Sequence, residues 1–172
     1  IEKQQKEKKK IITINQYSRM VFVVNPKKEK NTNQHQENCR MLGDQLQGNL
    51  KDKKSVLIVD VKGNQREVLA ITEGMALANY TFTTHKTKEK PNKLETIYLC
   101  KNANKKDIDE LKNIIDSVYL TRDLINEPFS HLTAKDLANA AKKSGKTHGF
   151  KTTVFNKKKI ESLKMGGLLA VN

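Results

Sequence analysis

Several residue types are scarce or missing in this 172-residue chain. It has no tryptophan, three prolines and two cysteines, Cys39 and Cys100. Two cysteines do not by themselves make a disulfide framework or a metal cluster. This usage is typical of a reducing compartment, in which a free cysteine behaves as a small apolar side chain. We therefore expect both thiols to be buried, and the protein to be cytoplasmic.

Long apolar segments are also missing. No apolar run approaches the roughly 18 residues that a membrane span requires. The first ten residues, IEKQQKEKKK, contain no hydrophobic signal core, and Glu2 and Glu7 are unusual in a transit peptide. The chain begins with Ile instead of Met, as expected where upstream sequence has been removed or left out. We predict no membrane partner.

Positive charge is abundant, but arginine is not. Lysine and arginine together number 33 against 19 acidic residues, which gives a formal net charge of +14. The four arginines are Arg19, Arg40, Arg66 and Arg122. Nucleic-acid interfaces usually combine arginine with interleaved aromatic residues. The composition therefore favours a solvated lysine-rich surface, and a nucleic acid or an acidic protein surface stays open as an alternative partner.

Hydrophobic periodicity predicts an alternation of strands and helices up to residue 126. The length allows one domain with a core, or one domain plus part of another. We predict strands at 11–15, 20–25, 55–61 and 94–100, helices at 37–50, from Asn64 to about Ala78 and at 104–126, and polar loops at 27–36 and 84–93. The run SVLIVDV (55–61) is the clearest buried strand. Asn64 is a plausible N-cap for the second helix.

Helix-breaking and helix-capping residues divide the last third of the chain. Pro128 stops the long helix, and Thr133 followed by Asp136 resembles a capping box for another helix. That helix is predicted to run to about Lys143 and to end near Gly145. A strand at 150–156 and a short helix at 157–165, ending at Gly166, are predicted to follow. The alternation along the chain favours an α/β fold.

No catalytic, metal-binding or substrate-binding residue is predicted. The four histidines, His35, His85, His131 and His148, match no metal-ligand spacing and are expected on the surface or in loops. The acidic residues Asp107, Asp109 and Glu110 lie in the first turn of the long helix, where the helix dipole favours them. Further along that helix, we expect ion pairs of Asp116 and Asp123 with Lys112 or Arg122.

Two blocks of sequence resemble the leucyl aminopeptidase family, also called cytosol aminopeptidases. The block EGMALANYTFTTHKTKEKP (73–91) contains the family's spaced residues Gly74, Leu77, Tyr80, Phe82, Lys86 and Thr87. The second block runs from TRDLINEP through LTAKDLA to FKTTVFNKKKIESLKMGGLLAV and is similar to the family's linker helix and entry to its catalytic domain. Two departures, Phe129 and Ser130, fall in the loop after Pro128. The resemblance covers roughly residues 55–171.

The resemblance implies a fold and a domain division. The fold would be α/β, with a macro-domain-like N-terminal domain whose central mixed sheet is flanked by helices. That noncatalytic domain would occupy 1–103 and a long linker helix 104–127. The truncated start of an α/β peptidase domain would then occupy 128–172.

The resemblance also implies an activity for the parent protein. It would be a hexameric metallopeptidase that removes N-terminal residues from peptides with two divalent ions, which would be zinc, manganese or magnesium. The family's lysine and acidic metal ligands lie beyond the Met-Gly-x-Leu-Leu-Ala-Val turn, so none is assigned to this chain. This segment would then serve assembly and domain positioning.

A noncatalytic role is the alternative. The same fold could be a scaffold or interaction protein in a larger assembly with an acidic protein or nucleic-acid partner, as the lysine-rich composition allows. The apolar residues Leu168, Leu169 and Val171 close the sequence. They favour a continuation, or a partner chain, that completes the fold around them. Whether downstream sequence carries the lysine and acidic ligands separates enzyme from scaffold.

Overall fold

Strands and helices alternate along most of the chain, and this confirms the predicted α/β class. The computed structural model describes residues 11–50, 52–61, 63–88, 90–100 and 103–171, so the first ten residues, which are rich in lysine, lie outside the described residues. The elements are β1 (Ile11–Gln16), β2 (Arg19–Val24), α1 (Thr32–Gln47), β3 (Ser55–Val59), α2 (Gln65–Asn79), β4 (Thr96–Cys100), α3 (Lys105–Asn126), α4 (Ala134–His148), α5 (Lys157–Ser162) and α6 (Gly166–Ala170). The chain divides into two compact units, one up to Asp123 and one from Leu124.

Two small sheets share one core in the first unit. Strands β1 and β2 form an antiparallel hairpin, whereas β3 and β4 pair in parallel through the crossover helix α2. The core cluster is Cys39, Leu46, Leu50, Ala70, Ile71, Met75 and Leu94, and both sheets pack against it. The described strands thus pair as two sheets of two, where the resemblance implies a single mixed sheet.

Helices α1 and α2 run in the same direction and approach each other unusually closely. A Cβ atom placed on Gly43 would lie 2.1 Å from the carbonyl oxygen of Ile71, and one on Gly74 would lie 2.0 Å from that of Arg40. Real Cβ atoms do not come so near to backbone oxygen, so only glycine fits at either position. The two glycines therefore allow the backbones of the two helices to meet.

The start of α1 differs from the prediction. The helix begins at Thr32 instead of residue 37, so the predicted loop at 27–36 is wrong in its second half. Asn31 is the cause, because its side-chain oxygen accepts hydrogen bonds from the backbone N–H groups of Asn33 (2.9 Å) and Gln34 (3.2 Å). The N-cap predicted at Asn64 is confirmed, since its side chain accepts from the N–H of Glu67.

The segment predicted as the clearest buried strand is only half buried. Strand β3 ends at Val59, and its side chains alternate between the core and an uncovered face. Val56 and Ile58 pack on the core, whereas Leu57 and Val59 are 58% and 57% exposed. The reason is that helices cover one face of the β3–β4 pair in the described part of the chain, while a strand buried on both faces needs a second covering layer.

The joint between α3 and α4 follows the prediction, but the end of α4 does not. Helix α3 ends at Asn126, before Pro128, and Thr133 and Asp136 form the predicted capping box. Hydrogen bonds from Thr133 hold the pKa of Asp136 below its ordinary value. Helix α4 continues past Gly145 to His148, because Gly149, at a φ of 75°, adopts the left-handed conformation that ends helices.

The remaining predictions for the second unit need correction. Residues 150–156 form no strand, because a strand requires a hydrogen-bonded neighbour and the described residues from 124 onwards provide none. Helix α5 ends at Ser162, before a residue of positive φ, Lys164. Gly166 starts α6 and does not act as a stop. Among the helices described, none is both long and apolar enough to cross a membrane.

Candidate functional site

Metal-binding side chains are not clustered in the described part of the chain. Structural and catalytic metal sites draw on several His, Cys, Asp or Glu side chains placed together. Within residues 11–171, apart from the few undescribed positions, no three such side chains are placed to hold an ion. The two divalent ions that the resemblance implies therefore do not fit the residues described, and no chemical step can be assigned to them here.

Three of the four histidines lie on the surface, as predicted. The ring of His85 is 5.9 Å from the ring of Phe82, and His131 Nδ1 is 2.9 Å from the hydroxyl of Ser130. His148 lies in the last turn of α4. The prediction is wrong for His35, whose side chain is only 16% exposed. Its carboxylate partner, Glu67, is 32 residues away along the chain, so no local spacing reveals the pair.

Side chains of α3 cap the C-terminal end of α2. Together with Tyr80, which directly follows α2, they form what we term the helix joint: Tyr80, Tyr119, Arg122 and Asp123. The Tyr119 hydroxyl donates a hydrogen bond to the carbonyl of Ala76, and Arg122 Nη1 donates to that of Leu77 at 2.7 Å. Carbonyls in the last turn of a helix have no partner within the helix. The Arg122 charge also suits the negative end of the helix dipole.

Aromatic contacts and a further hydrogen bond hold the helix joint together. The rings of Tyr80 and Tyr119 meet edge to face at 5.1 Å, and the Arg122 guanidinium lies 5.4 Å from the centre of the Tyr80 ring. The Tyr80 hydroxyl donates to Asp123 Oδ1 at 2.7 Å. Burial raises the pKa of Tyr119 above its ordinary value, which keeps its hydroxyl protonated as a donor.

The helix joint connects the two blocks of the family resemblance. Tyr80 belongs to the first block, and Arg122 and Asp123 belong to the second. Of the ion pairs expected on α3, that of Asp116 with Lys112 is confirmed at 3.4 Å. Asp123 instead accepts a hydrogen bond from Tyr80, a partner that the sequence does not suggest. The helix joint is thus a tertiary feature.

A cavity of about 270 Å³ lies where α1 and α2 begin. Its lining residues are Thr32, His35, Gln36, Cys39, Asn64, Arg66 and Glu67. His35 Nδ1 is 3.0 Å from the carbonyl oxygen of Lys27, and its Nε2 is 2.9 Å from Glu67 Oε1. Both of these oxygens are acceptors, so both ring nitrogens must carry protons to satisfy them. The geometry therefore favours the charged imidazolium.

Electrostatics in the cavity agree with this protonation state. The hydrogen bond with Glu67 is the largest influence on His35 and raises its pKa above the ordinary value, against the opposing effect of burial. Burial raises the pKa of the neighbouring Cys39 thiol to about 11. This thiol is therefore protonated at neutral pH and is a poor nucleophile, so the cavity offers no thiolate chemistry.

A pH-dependent contribution to stability follows from His35. Because its pKa is raised on folding, the His35–Glu67 interaction stabilises the fold fully at pH values below the unfolded pKa of about 6.5. This contribution is lost as the pH rises through the folded pKa. His35→Gln should therefore lower the free energy of unfolding by about 1 kcal/mol at acidic pH and by less at alkaline pH.

Urea unfolding of the unaltered protein and of His35→Gln, from acidic to alkaline pH, measures the change in the free energy of unfolding. The exposed His148 provides a matched control. The change in the free energy of unfolding caused by His148→Gln should be the same at acidic and alkaline pH. A His35→Gln effect that is the same at acidic and alkaline pH would contradict the assignment of a charged His35.

Comparison with known proteins identifies similar sequences. The model of the cytosol aminopeptidase family's catalytic domain matches residues 119–172. A probable cytosol aminopeptidase of Clostridium tetani is 36% identical over 111 residues, which are 61% of this chain and 23% of that protein. One of Chlorobaculum parvum is 67% identical over 51 residues, which are 30% of this chain and 10% of that protein. The chain thus spans less than a quarter of the length of these two relatives.

Two solved structures have a similar fold. A tomato leucine aminopeptidase mutant superposes with a TM-score of 0.75 at 16% identity, covering 90% of this chain and 33% of that one. The bottromycin maturation enzyme BotP in complex with Mn has a TM-score of 0.70 at 16% identity, covering 89% of this chain and 34% of that one. At this level of identity the likeness concerns the fold.

Proposed function

Because the chain belongs to the cytosol aminopeptidase family, we propose that it is the N-terminal portion of a leucyl-aminopeptidase-like protein that removes N-terminal residues from peptides. The match to the family's catalytic domain over residues 119–172 carries the proposal. That match begins at Tyr119, within the helix joint. It is supported by the tomato leucine aminopeptidase, a third of whose chain corresponds to most of this one.

In this proposal the chain serves assembly and domain positioning. Residues 1–103 are the noncatalytic, macro-domain-like part. Residues 104–127 are the linker helix, and 128–172 begin the catalytic domain. The capping contacts of Tyr119 and Arg122 support this role, because a helix anchored by directional hydrogen bonds holds its direction better than a flexible linker would.

The peptidase chemistry is assigned to sequence outside these 172 residues. The structure of BotP is described as a complex with Mn, which supports the use of divalent ions by a related enzyme. For the parent protein we propose two such ions, zinc, manganese or magnesium, which would activate a water molecule and polarise the peptide carbonyl. A hexameric assembly and a cytosolic location, the latter named in the relatives' descriptions, belong to the same proposal.

Intact mass of the polypeptide from its native source, combined with a leucine amide hydrolysis assay, tests the proposal. Since 90% of this chain corresponds to 33% of the tomato enzyme, we expect a mass of about three times the 19.6 kDa of this sequence. We also expect hydrolysis that a chelator removes and that added manganese or zinc restores. A native polypeptide of 19.6 kDa that lacks this activity would rule the enzyme out.

A noncatalytic scaffold with an acidic protein or nucleic-acid partner is the second candidate. One specific observation favours it: basic residues outnumber acidic ones by 33 to 19. Binding of duplex DNA or an acidic peptide that weakens steeply with added salt would support the scaffold. Binding that salt does not affect would count against it.

A further inference from the structure

Three hydrogen-bond donors in the cavity between α1 and α2 have no partner. The side chains of Thr32, Gln36 and Arg66 line this space, and none of them makes a hydrogen bond or ion pair in the described structure. Thr32 and Arg66 are exposed and Gln36 is partly buried, so a ligand that enters the cavity would replace water at these N–H and O–H donors. The cavity is therefore rich in unused donors.

Arg66 differs from the other three arginines of the chain. Arg19 donates to the Gln16 side chain at 2.7 Å, Arg40 donates to Glu73 at 2.8 Å, and Arg122 donates to the Leu77 carbonyl at 2.7 Å. Arg66 alone has no such contact among the described residues. A guanidinium presents parallel N–H groups that match the paired oxygens of a phosphate or carboxylate. The Arg66 guanidinium at the cavity is thus available to bind an oxyanion.

The acidic residue that lines the cavity, Glu67, already forms an ion pair with His35. Glu67 Oε1 lies 2.9 Å from His35 Nε2, and the charges of these two groups offset each other when His35 is protonated. The charge of Arg66 then has no counterpart at the cavity. The first turns of α1 and α2 border the same space and add partial positive charge to that of Arg66.

Several charged groups on the segments near His35 are paired with one another, whereas Lys28 and Lys30 are exposed to solvent. Lys27 and Glu29, on the segment before α1, form an ion pair at 3.0 Å. On α1, Arg40 pairs with Glu73 of α2 and, at 3.4 Å, with Glu37. The charge of the cavity therefore depends on the protonation of His35 against Glu67.

The position of the cavity in the fold is one that suits ligands. Helix α2 follows β3, which pairs in parallel with β4, so α2 starts on the carboxyl side of this strand pair. In α/β folds, ligands bind in the crevice outside the carboxyl ends of the strands. A volume of about 270 Å³ is slightly below the usual range of ligand pockets and suits a single phosphate group with a small substituent.

We propose that this cavity binds a small phosphate-type oxyanion, held by the Arg66 guanidinium and completed by the Thr32 hydroxyl and the Gln36 amide. The site is independent of the peptidase proposal, because it lies in the first unit and uses no metal. Anion binding strengthens as His35 becomes protonated, since the imidazolium then offsets the Glu67 carboxylate.

Isothermal titration of the full 172-residue chain with inorganic phosphate tests the site, in chloride buffer of matched ionic strength. We expect a Kd on the order of 1 mM. Arg66→Gln should weaken binding by about tenfold, which is the effect expected from losing one charged hydrogen-bonded contact. Arg66 is exposed, so this variant is expected to fold, and its circular dichroism spectrum should match that of the unaltered protein.

Arg19→Gln is the matched control, because it removes the same charge from the hairpin turn. Binding that only Arg66→Gln weakens supports the site. Equal weakening by both substitutions, or no binding by the unaltered protein, overturns it. Comparison of glycerol phosphate with inorganic phosphate separates the possible sources: tighter binding of the ester assigns a phosphate monoester, and equal or weaker binding assigns the free ion.

The pH dependence of anion binding is measured with sulfate, because sulfate stays a dianion across the range in which His35 titrates. Its affinity should fall as the pH rises through the folded pKa of His35, and the fall should vanish in His35→Gln. A pH dependence that persists unchanged in His35→Gln would overturn the coupling between His35 and the anion.

Discussion

Replacement of Gly74 by alanine is expected to lower the free energy of unfolding by about 3 kcal/mol or more. The new Cβ would lie 2.0 Å from the carbonyl oxygen of Arg40 and 2.7 Å from its carbonyl carbon. These are backbone atoms of α1, so no side chain can rotate away, and the two helices must separate. Separation would open the core around Met75, which is 1% exposed.

Gly48 provides the control for this substitution. It follows α1 with a φ of −54°, and a Cβ there would meet only the carbonyl oxygen of Gln45, at 3.4 Å. Gly48→Ala should change the free energy of unfolding by less than about 1 kcal/mol, and a gain is expected because alanine restricts the unfolded chain. Urea unfolding followed by circular dichroism compares the two variants. A Gly74→Ala protein as stable as Gly48→Ala would refute the close helix contact.

Replacement of Arg122 by alanine is expected to lower the stability of the helix joint by about 2 kcal/mol. The substitution removes the hydrogen bond to the Leu77 carbonyl and the contact with the Tyr80 ring. The Leu77 carbonyl is then left without its charged donor in a partly buried position. Hydrogen exchange at the backbone amides of α3 should speed up by roughly tenfold or more, as expected for this loss of local stability.

Lys112 is the matched control on the same helix. Its exposed pair with Asp116 is of a type that contributes about 0.5 kcal/mol or less, so Lys112→Ala should leave exchange nearly unchanged. Arg122→Lys is also informative, because a lysine cannot reproduce the planar guanidinium fork and should rescue only part of the effect. Exchange rates that do not change in Arg122→Ala would show that the helix joint does not hold α3.

The sequence by itself determined the features that depend on neighbours along the chain. The N-cap at Asn64, the capping box at Thr133 and Asp136, and the end of α3 before Pro128 all rest on groups within a few residues of one another. The two blocks of residues that resemble cytosol aminopeptidases also lie in the linear order, so the family could be identified without a fold.

Only the tertiary structure decided which distant residues meet. Glycine usually weakens a helix, whereas the structure places Gly43 of α1 against the Ile71 carbonyl of α2. The pairs His35–Glu67 and Arg122–Leu77 join residues 32 and 45 positions apart, and the free state of Arg66 depends on what surrounds it. The predicted strand at 150–156 failed for the same physical reason. A helix closes its hydrogen bonds within its own segment, but a strand and a binding site exist only where other parts of the chain supply partners.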